Sequence, residues 1–135
     1  MKQYNKFFKK RKGFVKLFPQ SAGVLKSVKK RRLKLGLISN STRFIVMSIL
    51  NHYNLKKYFD VIMAMEDVKN RKPAPDMILK ACKILEVSPK NTIIVGDTSN
   101  DMIAGKMAGC IMVGYRIDGE YRINNLKEIE KFIYV

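Results

Sequence analysis

The first 59 residues contain no aspartate and no glutamate, and the earliest acid is Asp60. Any chemistry that needs a carboxylate, whether as nucleophile, general base or hard-metal ligand, is excluded from that stretch. Other catalytic side chains are scarce too. The one histidine, His52, falls on the final turn of a helical pattern and reads as a solvated helix end rather than a base. The two cysteines, Cys82 and Cys110, sit in apolar contexts without metal-site spacing, as buried thiols of a reducing compartment do. No apolar run approaches the roughly 18 residues of a membrane span. Lysines break the N-terminal apolar stretches too often for a signal peptide. A cytoplasmic protein with no membrane association is expected.

What the sequence has is positive charge, unevenly spread. Of 27 Lys and Arg, 16 lie in residues 1–59, while residues 60–135 hold 11 bases against 11 acids. The whole excess of +16 therefore sits in the acid-free part. Such asymmetry suits nucleic acid or another acidic partner, and a Lys-rich solvated face is the plainer reading. With 135 residues, 47% of them apolar, the chain is long enough for one globular core and too short for two.

Along the chain, residues 2–12 are basic and aromatic, and Gly13 and Pro19 bracket a connection. A helix pattern starts at Ser21, with Val24, Leu25 and Val28 on one face. Leu33 to Ile38 reads as a strand ending in Ser39-Asn40-Ser41-Thr42, and a helix follows over 42–52. The spacing predicts a strand over 59–65, a helix over 76–86 with Ile78, Leu79, Cys82 and Leu85 inward, and a strand over 92–95 covered on both faces. A small-residue helix over 100–109, a strand over 111–115, a turn at Asp118-Gly119 and a helix over 124–133 complete the pattern. Short strands alternating with helices predict an α/β fold, a doubly wound and mostly parallel sheet with its chemistry beyond the carboxyl ends of the strands.

Three clusters fall at those ends. Ser39-Asn40-Ser41-Thr42 offers hydroxyl, amide and helix N-terminal N–H groups, either an anion site or an ordinary helix cap. Lys72 is framed by Pro73 and Pro75, which bar a helix before Asp76 and would hold an ammonium in place. Gly96-Asp97-Thr98-Ser99-Asn100-Asp101 closes a strand with two carboxylates four apart, suited to Mg²⁺ with water and phosphate or, more plainly, to capping. Among the basic N-terminal residues, Tyr4, Phe7, Phe8, Phe14 and Phe18 suit packing on a neighbour or stacking on bases.

Taken in order, LGLISNS (35–41), RKPAPDMILKACKILEVSPKNTIIVGD (71–97) and TSNDMIAGKMAG (98–109) resemble the haloacid dehalogenase-like (HAD) superfamily, in its phosphoglycolate phosphatase-like branch. The resemblance spans about residues 17–133. It implies a HAD-like Rossmannoid core over 17–135 and, in residues 1–16, a basic arm or the remnant of a helical cap. It implies hydrolysis of a small phosphorylated metabolite through an aspartyl-phosphate. Ser39 would hydrogen-bond the phosphoryl group with Asn40 beside it, Lys72 would neutralise charge there, and Asp97 with Asp101 would hold Mg²⁺.

One part of the pattern is absent. The family's nucleophile is an aspartate of a strand-ending DxD motif that precedes the serine motif, and here no acid precedes Ser39. Asp118-Gly119-Glu120 lacks the apolar strand a permuted nucleophile would need. The sheet is therefore expected without its usual first, central strand, leaving two edges that pair directly or stay open to a partner. Three readings remain: a phosphatase core inactive as an isolated chain, half of a split enzyme completed by a partner chain or homodimer, and a non-catalytic basic module binding RNA or another polyanion.

Overall fold

The computed structural model describes residues 21–133. The basic, aromatic segment 2–12 and the proposed cap remnant 1–16 lie outside them. Helix α1, Ser21–Lys30, turns Val24 and Val28 inward. Strand β1, Gly36–Ile38, is followed by α2, Arg43–His52, which buries Val46, Met47, Ser48 and Leu50. Thr42 caps α2 by accepting from the Ile45 N–H at 3.3 Å, and the Glu66 carboxylate takes the Arg43 N–H at 2.9 and 3.1 Å. Strand β2, Val61–Met63, pairs with β1 in parallel, Leu37 opposite Ile62.

Helix α3, Asp76–Leu85, buries Met77, Ile78, Ala81 and Cys82, while Leu79, expected inward, is 43% exposed. Strand β3, Ile93–Gly96, leads through Thr98 into α4, Ser99–Ala108, which ends at Gly109 in the left-handed conformation, φ 85°. Strand β4, Ile111–Tyr115, pairs with β3 in parallel, Gly96 opposite Gly114.

Two elements differ from the sequence pattern. Strand β5, Tyr121–Ile123, was hidden by its shortness and central Arg122; it pairs in parallel with β4 after a connection of a few residues. A parallel return usually needs a dozen or more. Here the loop folds back onto Gly114, where an added Cβ would lie 2.0 Å from the Ile117 carbonyl oxygen. The closing segment Leu126–Phe132 is 3₁₀ rather than α-helical, started by Asn125 accepting from the Lys127 N–H at 2.8 Å.

The architecture is the expected α/β with parallel pairing, but among the described residues the strands form two sheets, β1-β2 and β3-β4-β5. The edges of β1 and β3 stay apart. On one side of them α1, α2 and the closing segment cover apolar clusters that include Val28, Val113, Ile123 and Met47. On the other, α3 and α4 cover Ile78, Cys82, Ala104 and Cys110. Both cysteines are buried and unpaired, and burial beside Cys82 pushes the Cys110 thiol up to about 11. No described helix is long and apolar enough to cross a membrane.

Acids from the second part tie down the basic first part. Asp60 accepts from Lys29 Nζ at 2.6 Å and from the Leu35 N–H at 2.8 Å, and Asp67 pairs with Arg43. The burial of Asp60's neighbourhood is slight, yet the Lys29 hydrogen bond and the Leu35 N–H hold its carboxyl below the usual range.

Replacing Gly114 by alanine forces the loop away from β4, and overpacking of that kind costs about 1–3 kcal/mol. Urea unfolding of Gly114→Ala should show a lowered midpoint, whereas an unchanged midpoint would mean the loop does not lie on Gly114 in solution.

Candidate active site

The segments after β1, β2 and β3 converge on Lys72. The Asn40 side chain bonds the Lys72 backbone at both of its polar ends: Asn40 Nδ2 donates to the Lys72 carbonyl at 2.9 Å, and the Lys72 N–H donates to Asn40 Oδ1 at 3.0 Å. The Lys72–Pro73 peptide bond is cis. From that anchored backbone Lys72 Nζ reaches the Asp101 carboxylate at 2.5 Å, with side-chain exposures of 12% and 11%. A pair this enclosed is held by geometry and hydrogen bonds, because desolvation alone opposes it.

Asp101 is fixed from its other side by a reciprocal helix cap. Its Oδ2 accepts from Thr98 Oγ1 at 2.8 Å and the Thr98 N–H at 3.3 Å, and its own N–H donates to Thr98 Oγ1 at 3.2 Å. Burial pushes the Asp101 carboxyl upward, but the Lys72 hydrogen bond and charge, with the two Thr98 donors, outweigh it and hold it low. Gly96 makes the arrangement possible. A Cβ there would lie 2.4 Å from Asp101 Cβ and 2.6 Å from its Oδ2.

Lys72, Asp97 and Asp101 line one end of a cleft of about 370 Å³ between the two sheets, walled by Leu35 to Ile38 and Ile93 to Gly96. Asp97 is exposed and makes no ion pair among the described residues. Ser39 continues the β1–β2 ladder, its N–H donating to the Met63 carbonyl at 3.0 Å, and its Oγ accepts from the Ser41 N–H at 3.1 Å. The hydroxyl proton of Ser39 is left to donate elsewhere.

The structure therefore gathers Asn40, Lys72, Asp101 and Asp97 and sharpens what each does. Asn40, expected beside a phosphate, is committed to the Lys72 backbone and positions that loop. The α2 N-terminus, read as an anion site or a cap, carries the Thr42 hydroxyl on its Ile45 N–H and the Glu66 carboxylate on its Arg43 N–H. Asp101, expected as a metal ligand with Asp97, has its two oxygens engaged by Lys72 and Thr98. The sequence reading passed over Thr98 and Glu66, although Thr98-Ser99-Asn100-Asp101 spells a capping box.

For a metal, the described residues hold no group of three or more His, Cys, Asp or Glu able to enclose one. Mg²⁺ needs no such cage, since it takes one or two carboxylates and fills its shell with water and phosphate oxygens. Asp97 at the cleft mouth, with Asp101 behind it, fits that donor chemistry.

The family model for haloacid dehalogenase-like hydrolases matches residues 1–115. The chain belongs to that family. Its similarity is to the phosphoglycolate phosphatase-like branch: phosphoglycolate phosphatase of Escherichia coli K12 is 38% identical over 98 residues, covering 73% of this chain and 39% of that protein. The chain thus spans about two fifths of the length of the curated relatives it matches. Among solved structures, a HAD-superfamily hydrolase of subfamily IA from Geobacter sulfurreducens superposes with a TM-score of 0.80 at 27% identity, over 87% of this chain and 61% of that one. A HAD phosphatase from Thermococcus onnurineus gives 0.86 at 25% identity, over 96% and 64%.

Removing the Lys72 ammonium leaves a buried carboxylate unpaired, a loss of about 3–5 kcal/mol near neutral pH. The Asp101 carboxyl, now dominated by burial, should rise above its ordinary 3.8. In wild type the pair stabilises above that value and fades as pH falls below it, whereas Lys72→Met is relieved by protonation. Chemical denaturation across pH should therefore show the gap between the two proteins narrowing on acidification. A gap constant from neutral pH to about pH 4 would sink the pairing.

Proposed function

We propose that this chain forms the substrate-holding side of a Mg²⁺-dependent phosphatase site for small phosphate monoesters. The observation that supports it most is the linkage of Asn40, Lys72 and Asp101, which joins the ends of three parallel strands' connections at the mouth of one cleft. On this reading Lys72 neutralises charge on the phosphate, and the Ser39 hydroxyl donates to a phosphoryl oxygen. Asn40 sets the height of the Lys72 backbone. Asp97 would hold Mg²⁺, with Asp101 as a second carboxylate. Bound Mg²⁺ would offset the charge on phosphate oxygens. These are positioning and electrostatic tasks, the larger part of phosphoryl-transfer catalysis.

The remaining task, nucleophilic attack, has no candidate among these side chains, since both carboxylates at the site serve cations. The 135-residue chain is therefore assigned binding without turnover, with residues 1–16 read as part of a cap. A cytoplasmic setting accords with the two buried free thiols. The rival reading as an RNA-binding module rests on residues 2–12, and its mark would be an affinity that falls steeply with salt.

Two measurements test this. With Mg²⁺ and p-nitrophenyl phosphate the purified chain should give no hydrolysis, and robust activity abolished by Asp97→Asn would overturn that. Titration calorimetry with inorganic phosphate and Mg²⁺ should detect binding. A hydrogen bond to a charged group contributes about 1.5–3 kcal/mol, so Lys72→Met should weaken it at least about tenfold. Ser39→Ala should weaken it less. Undiminished phosphate affinity in folded Lys72→Met would remove the site assignment.

A further inference from the structure

The strands have a second end, away from the cleft mouth, and its charge is different. Asn40 and Asp101, beyond β1 and β3, meet at Lys72, so both strands run toward that residue. Their starts are tied as well: Lys34, before β1, donates to the carbonyl of Leu85, which ends α3 ahead of β3. β2 enters at the same end, where Asp60 accepts from Lys29 and from the Leu35 N–H. The chain reaches this end through basic residues. Lys30, Arg31 and Arg32 precede β1, Lys56 and Lys57 precede β2, and Lys90 precedes β3, all of them exposed. The last turns of α3 and α4 add Lys83 and Lys106. Around the cleft mouth, by contrast, Asp67, Asp76, Asp97 and Asp101 stand among Arg43 and Lys72.

Helix ends account for part of this charge. A cation in a last helical turn faces the negative end of the helix dipole and stabilises it modestly. Lys30, Lys83 and Lys106 sit in such turns, and Lys34 satisfies a terminal carbonyl. Lys56, Lys57 and Lys90 have no such role: they lie outside the α-helices and make no ion pair among the described residues. Arg32 follows α1 at φ 60°, the left-handed conformation that glycine takes with least strain. Like charges gathered at one end repel and weaken the compact state. An anion bound there reverses that effect.

Aromatic rings select among anions. α2 ends at His52, which is exposed and meets the Tyr53 ring edge-on at 4.9 Å. In the 3₁₀ turn that follows, Lys56–Tyr58, Lys57 Nζ lies 5.4 Å from the Tyr58 ring centroid. Leu25 of α1 packs in one cluster with Tyr53 and Tyr58, which sets the basic end of α1 beside this turn. An acidic peptide or a lipid headgroup would use the charges alone. A single-stranded nucleic acid uses both, its phosphates against cations and its nucleobases against ring faces.

We infer that this end of the molecule is a docking surface for single-stranded nucleic acid. Phosphates of the strand lie against Lys30, Arg32, Lys56 and Lys57, and a nucleobase stacks on the His52 ring that Tyr53 supports. The surface is at the other end of the strands from Lys72 and is built from residues 30–58. It therefore stands whether or not the cleft holds phosphate, and whether or not residues 2–12 bind RNA.

The test is fluorescence anisotropy of the 135-residue chain with fluorescein-labelled dodecauridylate as salt rises from about 50 to about 300 mM. Contact with about four phosphates predicts that the logarithm of the binding constant falls against that of salt with a slope of about −3. Lys56→Ala/Lys57→Ala removes two of those contacts and should flatten the slope to about −1.5. His52→Ala should weaken binding about fivefold or more at every salt concentration and leave the slope unchanged, as loss of one stacked base does. A slope that Lys56→Ala/Lys57→Ala leaves unchanged overturns the surface, and a slope flattened only by Lys9→Ala/Lys10→Ala moves the binding to residues 2–12. Affinity that His52→Ala leaves unchanged overturns nucleic acid as the partner. Tighter binding to phosphatidylserine vesicles than to the oligonucleotide overturns it too, because headgroups need no ring.

Discussion

The ion pair between Lys72 and Asp101 is the constraint on which the rest of the molecule's chemistry hangs. It is the direct bond between the connection after β2 and the helix after β3, and so between the two sheets at their carboxyl ends. Neither charge would be held so far from water without help. Asn40 fixes one backbone, Thr98 fixes the other carboxylate oxygen, and Gly96 leaves the space in which the carboxylate lies. Each part is small, and the geometry fails if any one of them is enlarged or removed.

Away from that end the two sheets are held together from outside, by helices on both faces. A two-stranded parallel sheet has little stability of its own. Here β1-β2 is kept in place by α2 on one side and by Met77 and Ala81 of α3 on the other. Apolar clusters lie on both sides of the cleft, whereas the hydrogen-bonded layer between them is interrupted.

Much of this was legible in the sequence because period and turn chemistry agree. The β-branched run Ile93 to Val95, the Gly109 stop and the Thr42 cap all fall where their residues point. What was not legible has identifiable causes. Three-residue β5 is too short to show a period, and its pairing depends on a loop fold that only Gly114 permits. Leu79 fits a helical stripe but lies outside the narrower face that packs. The convergence of Ser39, Lys72 and Asp97 on strand ends was readable from their order. That Asn40 grips Lys72, or that Asp101 is spoken for by Lys72 and Thr98, is a matter of side-chain direction, which spacing does not encode.

The Asp60 contacts carry a consequence for how the first half of the described fold comes together. Every carboxylate that α1, β1 and α2 use comes from residue 60 or later: Asp60 on Lys29 and Leu35, Glu66 and Asp67 on Arg43. β2, the one described strand that β1 pairs with, lies in the same stretch. Residues 21–59, with nine Lys and Arg and no acid, thus take the counter-charges and the pairing strand described here from downstream. α1, β1 and α2 therefore complete their described pairing and charge contacts only with residues 60–67, so the order of the sequence makes the long-range contacts of that half depend on one short stretch.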